Sequence, residues 1–399
     1  MITSSYRLSS TLMLLGMLFI ALLFMPQVLA EPTSNIQQHE AYPKPIQQVL
    51  SVASELFTEK SADFMVSLPH NYQQNSAKSY VVMLDLHPRS HLLHTGMHDW
   101  MSHNGGWPWL ETIIITAPDG HQGLGKLKEL AIEEKGNQQL LDFFEQDLLP
   151  AIDRTYRTNG FKILNGFTGN AGLGLYTLIN RPELFNAYIA ASPVLSRDFG
   201  YVLKDAPEKL KNLKLKQQRF LFVSTSDSGY EQGQLPSFAE LESLLKQADD
   251  SMLNYKVQRF DGSYYMTQPV LATAMGIEMI FNDIHNTVQP DSELGKQGAQ
   301  AILAHYKTLS QQVYGFEVSA VGSLTALAQS QFTADAEQAI ATLELAIANY
   351  PTNPHALAAL AEIYIELDNQ TKANSLLRQA MTLTEHPFWL NKWGKLVKE

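Results

Sequence analysis

Five histidines, His87, His91, His94, His98 and His103, fall within 17 residues of this 399-residue chain. The first four are spaced 4, 3 and 4 apart, which on a continuous helix sets them along one face. Imidazoles at i and i+4 can share a metal ion. The segment offers only Asp99 as a carboxylate and no complete ligand spacing. No metal is therefore assigned; His91, His94 and His98 are the ligands such a site would use. The other reading is a helix at a cleft rim carrying ordinary histidines, with Pro88 keeping His87 off it. Trp100, Trp107 and Trp109 flank Gly105-Gly106, where they can line a ligand cleft or fill a helix-to-strand corner. Asp119-Gly120-His121-Gln122-Gly123 follows a β-branched run and borders the same cleft, unless it is a plain turn. The absence of cysteine removes disulfides, thiolate metal sites, a cysteine nucleophile and a lipidated cysteine together. No residue pattern calls for a cofactor.

These residues need elements to hold them. Hydrophobic content of 45% and charged content of 17% describe a globular chain, and a net charge of −11 argues against nucleic acid or an anionic membrane as partner. Residues 1–30 read as a bacterial-type export signal: Arg7, the apolar run Leu12 to Met25, and Val28-Leu29-Ala30 before Glu31. A mature chain starting near Glu31 is the expectation, with no membrane segment left after cleavage and a periplasmic or secreted location. A polar linker fills 31–44. Apolar runs then alternate with amphipathic stretches. Tyr80–Leu86, Thr112–Ala117, Lys162–Leu164, Ala187–Ala191, Phe220–Ser224 and Tyr255–Phe260 read as strands, the first two as buried parallel ones. Leu140–Tyr156 reads as a helix, with Leu141, Phe144, Leu148, Leu149 and Ile152 on one face. The order implies a mostly parallel sheet with helices on both faces over about residues 45–290, and functional groups on loops at the strands' carboxyl ends.

After about Asp291 the chain becomes helical, first over Lys296–Val313 and then from Asp335 onward. A period of 34 relates Ala339, Leu343 and Ala346 to Ala373, Leu377 and Ala380. Between them Asn353-Pro354 starts a helix carrying Leu357, Leu360, Ala361 and Tyr364. Small and large residues at such places suit the paired helices of a tetratricopeptide-like tail, or equally a generic helical hairpin. One and a half repeats cannot bury a core alone, so residues 291–399 must dock on the main domain or on a protein partner.

The segment from Gly136 to Leu195 is the most informative. Its helix ends Leu149-Pro150-Ala151-Ile152-Asp153, followed by Tyr156-Arg157-Thr158 and a strand–turn–helix. Arg181-Pro182-Glu183-Leu184-Phe185 and Ala191-Ser192-Pro193 complete it. This stretch resembles the esterases related to enterochelin esterase and esterase D, which are α/β-hydrolases; weaker similarity runs from about 60 to 285. The resemblance implies an α/β-hydrolase fold followed by an all-α tail, and a nucleophile elbow of the form G-x-S-x-G. The matching stretch is Gly166-Phe167-Thr168-Gly169-Asn170. Thr168 stands where the family has serine, Phe167 where it usually has histidine, and Asn170 where it has glycine. A β-branched threonine fits a strained elbow poorly, and Asn170 adds a side chain where helix and strand approach. Gly169 supplies the backbone N–H expected at the oxyanion position. Asp85, Leu86, Asp119, Phe167 and Asn170 are expected around the cleft.

The family's histidine falls on the loop after the last strand, and that loop reads Phe260-Asp261-Gly262-Ser263-Tyr264-Tyr265-Met266-Thr267. No histidine occurs from residue 122 to 284; Tyr265 stands in its place. Tyrosine titrates near 10 and cannot take a hydroxyl proton at neutral pH. An acid remains as Asp227 or, alternatively, Glu231. The sequence therefore describes an exported esterase-like protein that binds a small ester-like molecule or a partner and has lost its chemistry. The competing readings are a carboxylic-ester hydrolase acting through Thr168 with an atypical base, and a metal-binding protein built on the histidine segment.

Overall fold

The computed structural model describes residues 44–57, 60–87, 89–103, 108–117, 134–195, 201–248 and 250–398. The export signal, nearly all of the linker, Trp107 and the loop with Asp119 lie outside the described residues. Eight strands form one sheet: β1 (Ile46–Ala53), β2 (Ser61–Leu68), β3 (Tyr80–Asp85), β4 (Thr112–Thr116), β5 (Thr158–Phe167), β6 (Ala187–Ala191), β7 (Arg219–Thr225) and β8 (Leu253–Arg259). Their order is β1-β2-β4-β3-β5-β6-β7-β8, with β2 antiparallel to both neighbours and every other pairing from β4 to β8 parallel. This is the α/β-hydrolase sheet. The apolar runs foreseen as strands are all present. β5 is longer than its apolar centre, because Thr158–Gly160 extend it toward the amino end. The β1–β2 hairpin was not foreseen; its residues alternate between buried and exposed, without the continuous apolar run of the central strands.

The pleat divides the core in two. On β3, Val82 and Leu84 face one side with Leu140, Phe144 and Leu148, while Val81 and Met83 face the other with Ile277 and Phe281. Covering the first face are α2 (Glu134–Phe143), α3 (Leu149–Thr155), α4 (Gly169–Asn180), α5 (Val202–Lys211) and α6 (Leu235–Gln247), and the second face carries α1 (Ser90–His103) and α7 (Gln268–Ile280). A π-helical turn, Phe144–Leu148, joins α2 to α3. Pro150 follows at once; it lacks an N–H and crowds the carbonyl four residues back, which favours the change of register.

Residues 45–399 form one compact unit. After α8 (Asn282–His285) come α9 (Ala299–Thr308), α10 (Val321–Phe332), α11 (Ala336–Asn349), α12 (Pro354–Glu366), α13 (Gln370–Thr382) and α14 (Pro387–Gly394). Ile302, Tyr306, Tyr314, Val318 and Leu324 join Phe161 and Phe220 of the sheet in one buried cluster. The Tyr314 hydroxyl closes the seam by donating to the Ile280 carbonyl at 2.8 Å. The 34-residue offset pairs α11 with α13, and Ala339, Leu343, Ala346, Ala373, Leu377 and Ala380 are all buried. A further helix, α10, pairs with α11 to complete the first hairpin. No helix among the described residues is long and apolar enough to cross a membrane.

Candidate active site

β5 ends at Phe167 and α4 begins at Gly169, leaving Thr168 alone in the turn with φ 56° and ψ −117°. A non-glycine residue there is strained, a β-branched one more so. The turn is held by Thr168 N–H donating to the Ala191 carbonyl at 3.0 Å and Gly172 N–H donating to the Thr168 carbonyl at 3.1 Å. Gly166 makes it possible: a Cβ there would lie 2.6 Å from the carbonyl carbon and oxygen of Asn170 and 2.7 Å from Ala171 N. The close approach therefore falls on the backbone of residue 170 and demands glycine at 166. The side chain of Asn170, expected to obstruct the elbow, is accommodated half-exposed on the first turn of α4. Gly169 opens α4, so its N–H has no intrahelical acceptor and points, with the helix's positive end, toward the elbow. Among the described residues, the Thr168 hydroxyl forms no hydrogen bond.

Tyr265 meets the elbow from the other side. Its ring packs on Phe167 with centroids 4.9 Å apart, and on its far side stacks with Tyr230 at 5.2 Å. Burial, and then the negative charge of Glu231, push the Tyr265 hydroxyl up to about 12. Glu231 is 1% exposed. Its carboxylate accepts from Thr225 Oγ1 at 3.2 Å, from Ser228 Oγ at 3.0 Å and from Ser226 Oγ. Asp227, the first acid candidate in the sequence, is exposed and accepts from the backbone N–H of Gly262 at 2.8 Å, bracing the loop that carries Tyr265. The fold thus gathers Phe167, Thr168, Tyr265 and Glu231 and leaves Asp227 at the rim.

The histidines of α1 do not converge. His91 bonds Thr116 Oγ1 through Nδ1 at 2.9 Å and Gln47 through Nε2. His94 donates from Nε2 to Asp85 Oδ2 at 2.8 Å, and His98 accepts the Thr112 N–H at 2.9 Å with its ring edge-on to Trp109. No group of three or more metal-ligating side chains exists among the described residues. Asp85 and Leu86, expected around the cleft, are buried, 1% and 3% exposed. Asp85 accepts from His94, from Asn165 Nδ2 at 2.7 Å and from the His87 N–H at 2.7 Å, because a carboxylate at the end of a central strand must find its partners inside. His87 remains nearest the elbow, its ring 6.1 Å from that of Phe167. Trp109 is core, Trp100 exposed.

Residues 56–259, just over half the chain, match the family described as "Putative esterase". The chain belongs to this esterase family. Solved structures place this esterase-family chain near an IroE-like serine hydrolase from Shewanella oneidensis, at 19% identity and TM-score 0.58, over 76% of this chain and all of the other. An uncharacterised protein from Capnocytophaga ochracea matches at 17% identity and TM-score 0.61, over 88% of this chain and 99% of its own. At these identities the likeness is one of fold, and the second match is long enough to extend into the helical tail. No curated protein matches the chain. Sequence reasoning missed the buried Asp85–His94–Asn165 group and the hydroxyl cage of Glu231, although the run Ser224-Thr225-Ser226-Asp227-Ser228 was a signal for the latter.

Proposed function

We infer that this chain is an exported esterase-fold protein that holds a small ester-like ligand at a degenerate elbow without hydrolysing it. The observation that carries this reading is Tyr265. It packs on Phe167 of the elbow and feels the charge of the buried acid Glu231, at the loop position where the family has histidine, and its hydroxyl keeps its proton to about pH 12. Acyl transfer needs a group that takes the nucleophile's proton as it attacks. A phenol that stays protonated cannot do so, and the Thr168 hydroxyl has no hydrogen-bonded base among the described residues. The donors for a ligand oxygen persist at Gly169 and the start of α4, which favours binding without turnover. Glu231 is then the acid of the ancestral triad in place of Asp227. The helical hairpins of the tail form a tetratricopeptide-like unit that presents a surface to a protein partner.

A fluorophosphonate tests the reading directly, since it captures an activated hydroxyl covalently. Intact-mass analysis should show no adduct on Thr168 in the native chain. An adduct mapped to Thr168 and lost in Thr168→Ala would make the chain a working hydrolase with an unorthodox base.

A further inference from the structure

The reading above leaves the ligand's chemistry open, and the surface beside the elbow supplies it. α1 and α7 both start at the carboxyl edge of the sheet and run away from it on the same face. Between them lies a groove of about 690 Å³, lined by Leu92, Leu93, Met97 and Trp100 from α1 and by Val270 and Ala274 from α7. The α1 residues recur at i, i+1, i+5 and i+8, and the α7 residues at i and i+4, so each helix turns one apolar stripe to the groove. Met97 packs on the core, but three of these side chains stand in solvent. Leu92 is 84% exposed, Trp100 70% and Val270 40%. Large apolar groups grouped on a surface mark a binding site more often than chance.

The groove's near end opens at the carboxyl edge of the sheet, the edge that carries the elbow. Leu92 lies in the first turn of α1, just after His87, and Val270 in the first turn of α7, just after Tyr265. The rings of His87 and Tyr265 both pack on Phe167, the residue before Thr168. The donors of α4 lie at that same edge. The groove itself is apolar as far as Glu278, the one charged residue among the described residues that line it. Midway, Gly96 and Ala274 keep the groove open, and a Cβ added at Gly96 would meet nothing within 4 Å.

We propose that this groove binds the hydrocarbon chain of an acyl amphiphile whose carbonyl head lies at the elbow. The inference deepens the ligand-binding reading and rests on it. Leu92 to Trp100 spans eight residues of helix, about 12 Å, the reach of an extended chain of about ten carbons. Unbranched methylenes suit walls of Leu, Met and Trp, which adapt to a slender guest. Each methylene removed from water tightens binding roughly fourfold.

Isothermal titration of the full chain with alkyl methyl ketones of five to fifteen carbons tests this, because these carry the carbonyl and tail of an ester but cannot be hydrolysed. Affinity should climb about fourfold per methylene to roughly ten carbons and then level off. Gly96→Phe adds a ring to the groove at a position where the Cβ itself meets nothing, and should flatten the climb while leaving the five-carbon ketone's affinity unchanged; a thermal melt checks that the helix still folds. The exposed-site variant Leu92→Ser, at the near end, should weaken ketones of every length, the five-carbon one included. Affinity independent of chain length, or a climb that survives Gly96→Phe, overturns the proposal. So does a dimer that Leu92→Ser dissolves, which would make the stripe a contact between copies. Hydrolysis of a matched ester would unseat the noncatalytic reading but leave the chain-length series to decide the groove.

Discussion

Replacing Gly166 by alanine probes whether the elbow is closed as tightly as described. The new methyl would stand 2.6, 2.6 and 2.7 Å from backbone atoms of Asn170 and Ala171. Restoring ordinary contact near 3.4 Å means moving the first turn of α4 by about 0.8 Å, since no flexible side chain can yield instead. That shift would strain the bond from Thr168 N–H to the Ala191 carbonyl, now 3.0 Å. Overpacking of this kind costs about 1–3 kcal/mol, and rigid opposing atoms place it at the upper end. The smaller unfolded-state entropy of alanine returns about 0.4–1 kcal/mol. The net loss is about 2–2.6 kcal/mol, which at a urea slope of about 3 kcal/mol/M lowers the midpoint by roughly 0.7–0.9 M. Gly174→Ala on the same helix is the control: its added methyl meets nothing within 4 Å, so stability should hold or rise slightly. If Gly166→Ala unfolds at the same midpoint as Gly174→Ala, the close strand–helix crossing is wrong.

Three further outcomes follow from the same structure. Ultraviolet difference titration of the native chain against Tyr265→Phe should reveal one tyrosine ionising near 12; because its folded value lies above the ordinary 10, the associated stability is complete below pH 10 and is lost as pH rises toward 12, and a difference centred at 10 would contradict the burial beside Glu231. Residues 335–384 excised as a peptide should be largely unfolded by circular dichroism, since α11 has lost α10 and the sheet it shares a cluster with, and a cooperative melt would show a self-sufficient tail. N-terminal sequencing of the exported protein should begin at or near Glu31, whereas Met1 retained in a membrane fraction would mean an anchored chain.

The sheet was legible because buried parallel strands are continuous apolar runs, as in Val81–Leu84 and Ile113–Ile115. β1 and β2 were not: the edge strand β1 carries only a diluted alternation, and the buried end of β2 is broken by Ser67. The tail's 34-residue offset was readable, but α10 was not recognised as the first helix of a pair, because its Leu324 and Leu327 belong to the sheet's cluster while Ala328 and Phe332 belong to the tail's. At the site, the elbow followed from glycine spacing. Which carboxylate turned inward did not, because Asp227 and Glu231 differ only by four residues along a loop whose path decides between hydroxyls inside and solvent outside. Likewise nothing in the spacing of His91, His94 and His98 revealed that Gln47, Asp85 and Thr112 would each claim one of them.

On the proposed reading the elbow has kept its shape and lost its proton acceptor. The most direct test of that reading is the hydrolysis of short-chain p-nitrophenyl esters by the native chain, beside Thr168→Ala and the double variant Thr168→Ser with Tyr265→His. Oxyanion donors and binding alone can leave about 10³–10⁴-fold acceleration over water, so a faint rate common to the native chain and Thr168→Ala is compatible with the account. Those two rates should coincide, and the double variant should exceed both. Turnover by the native chain well above Thr168→Ala would show that threonine serves as the nucleophile, and would contradict that reading.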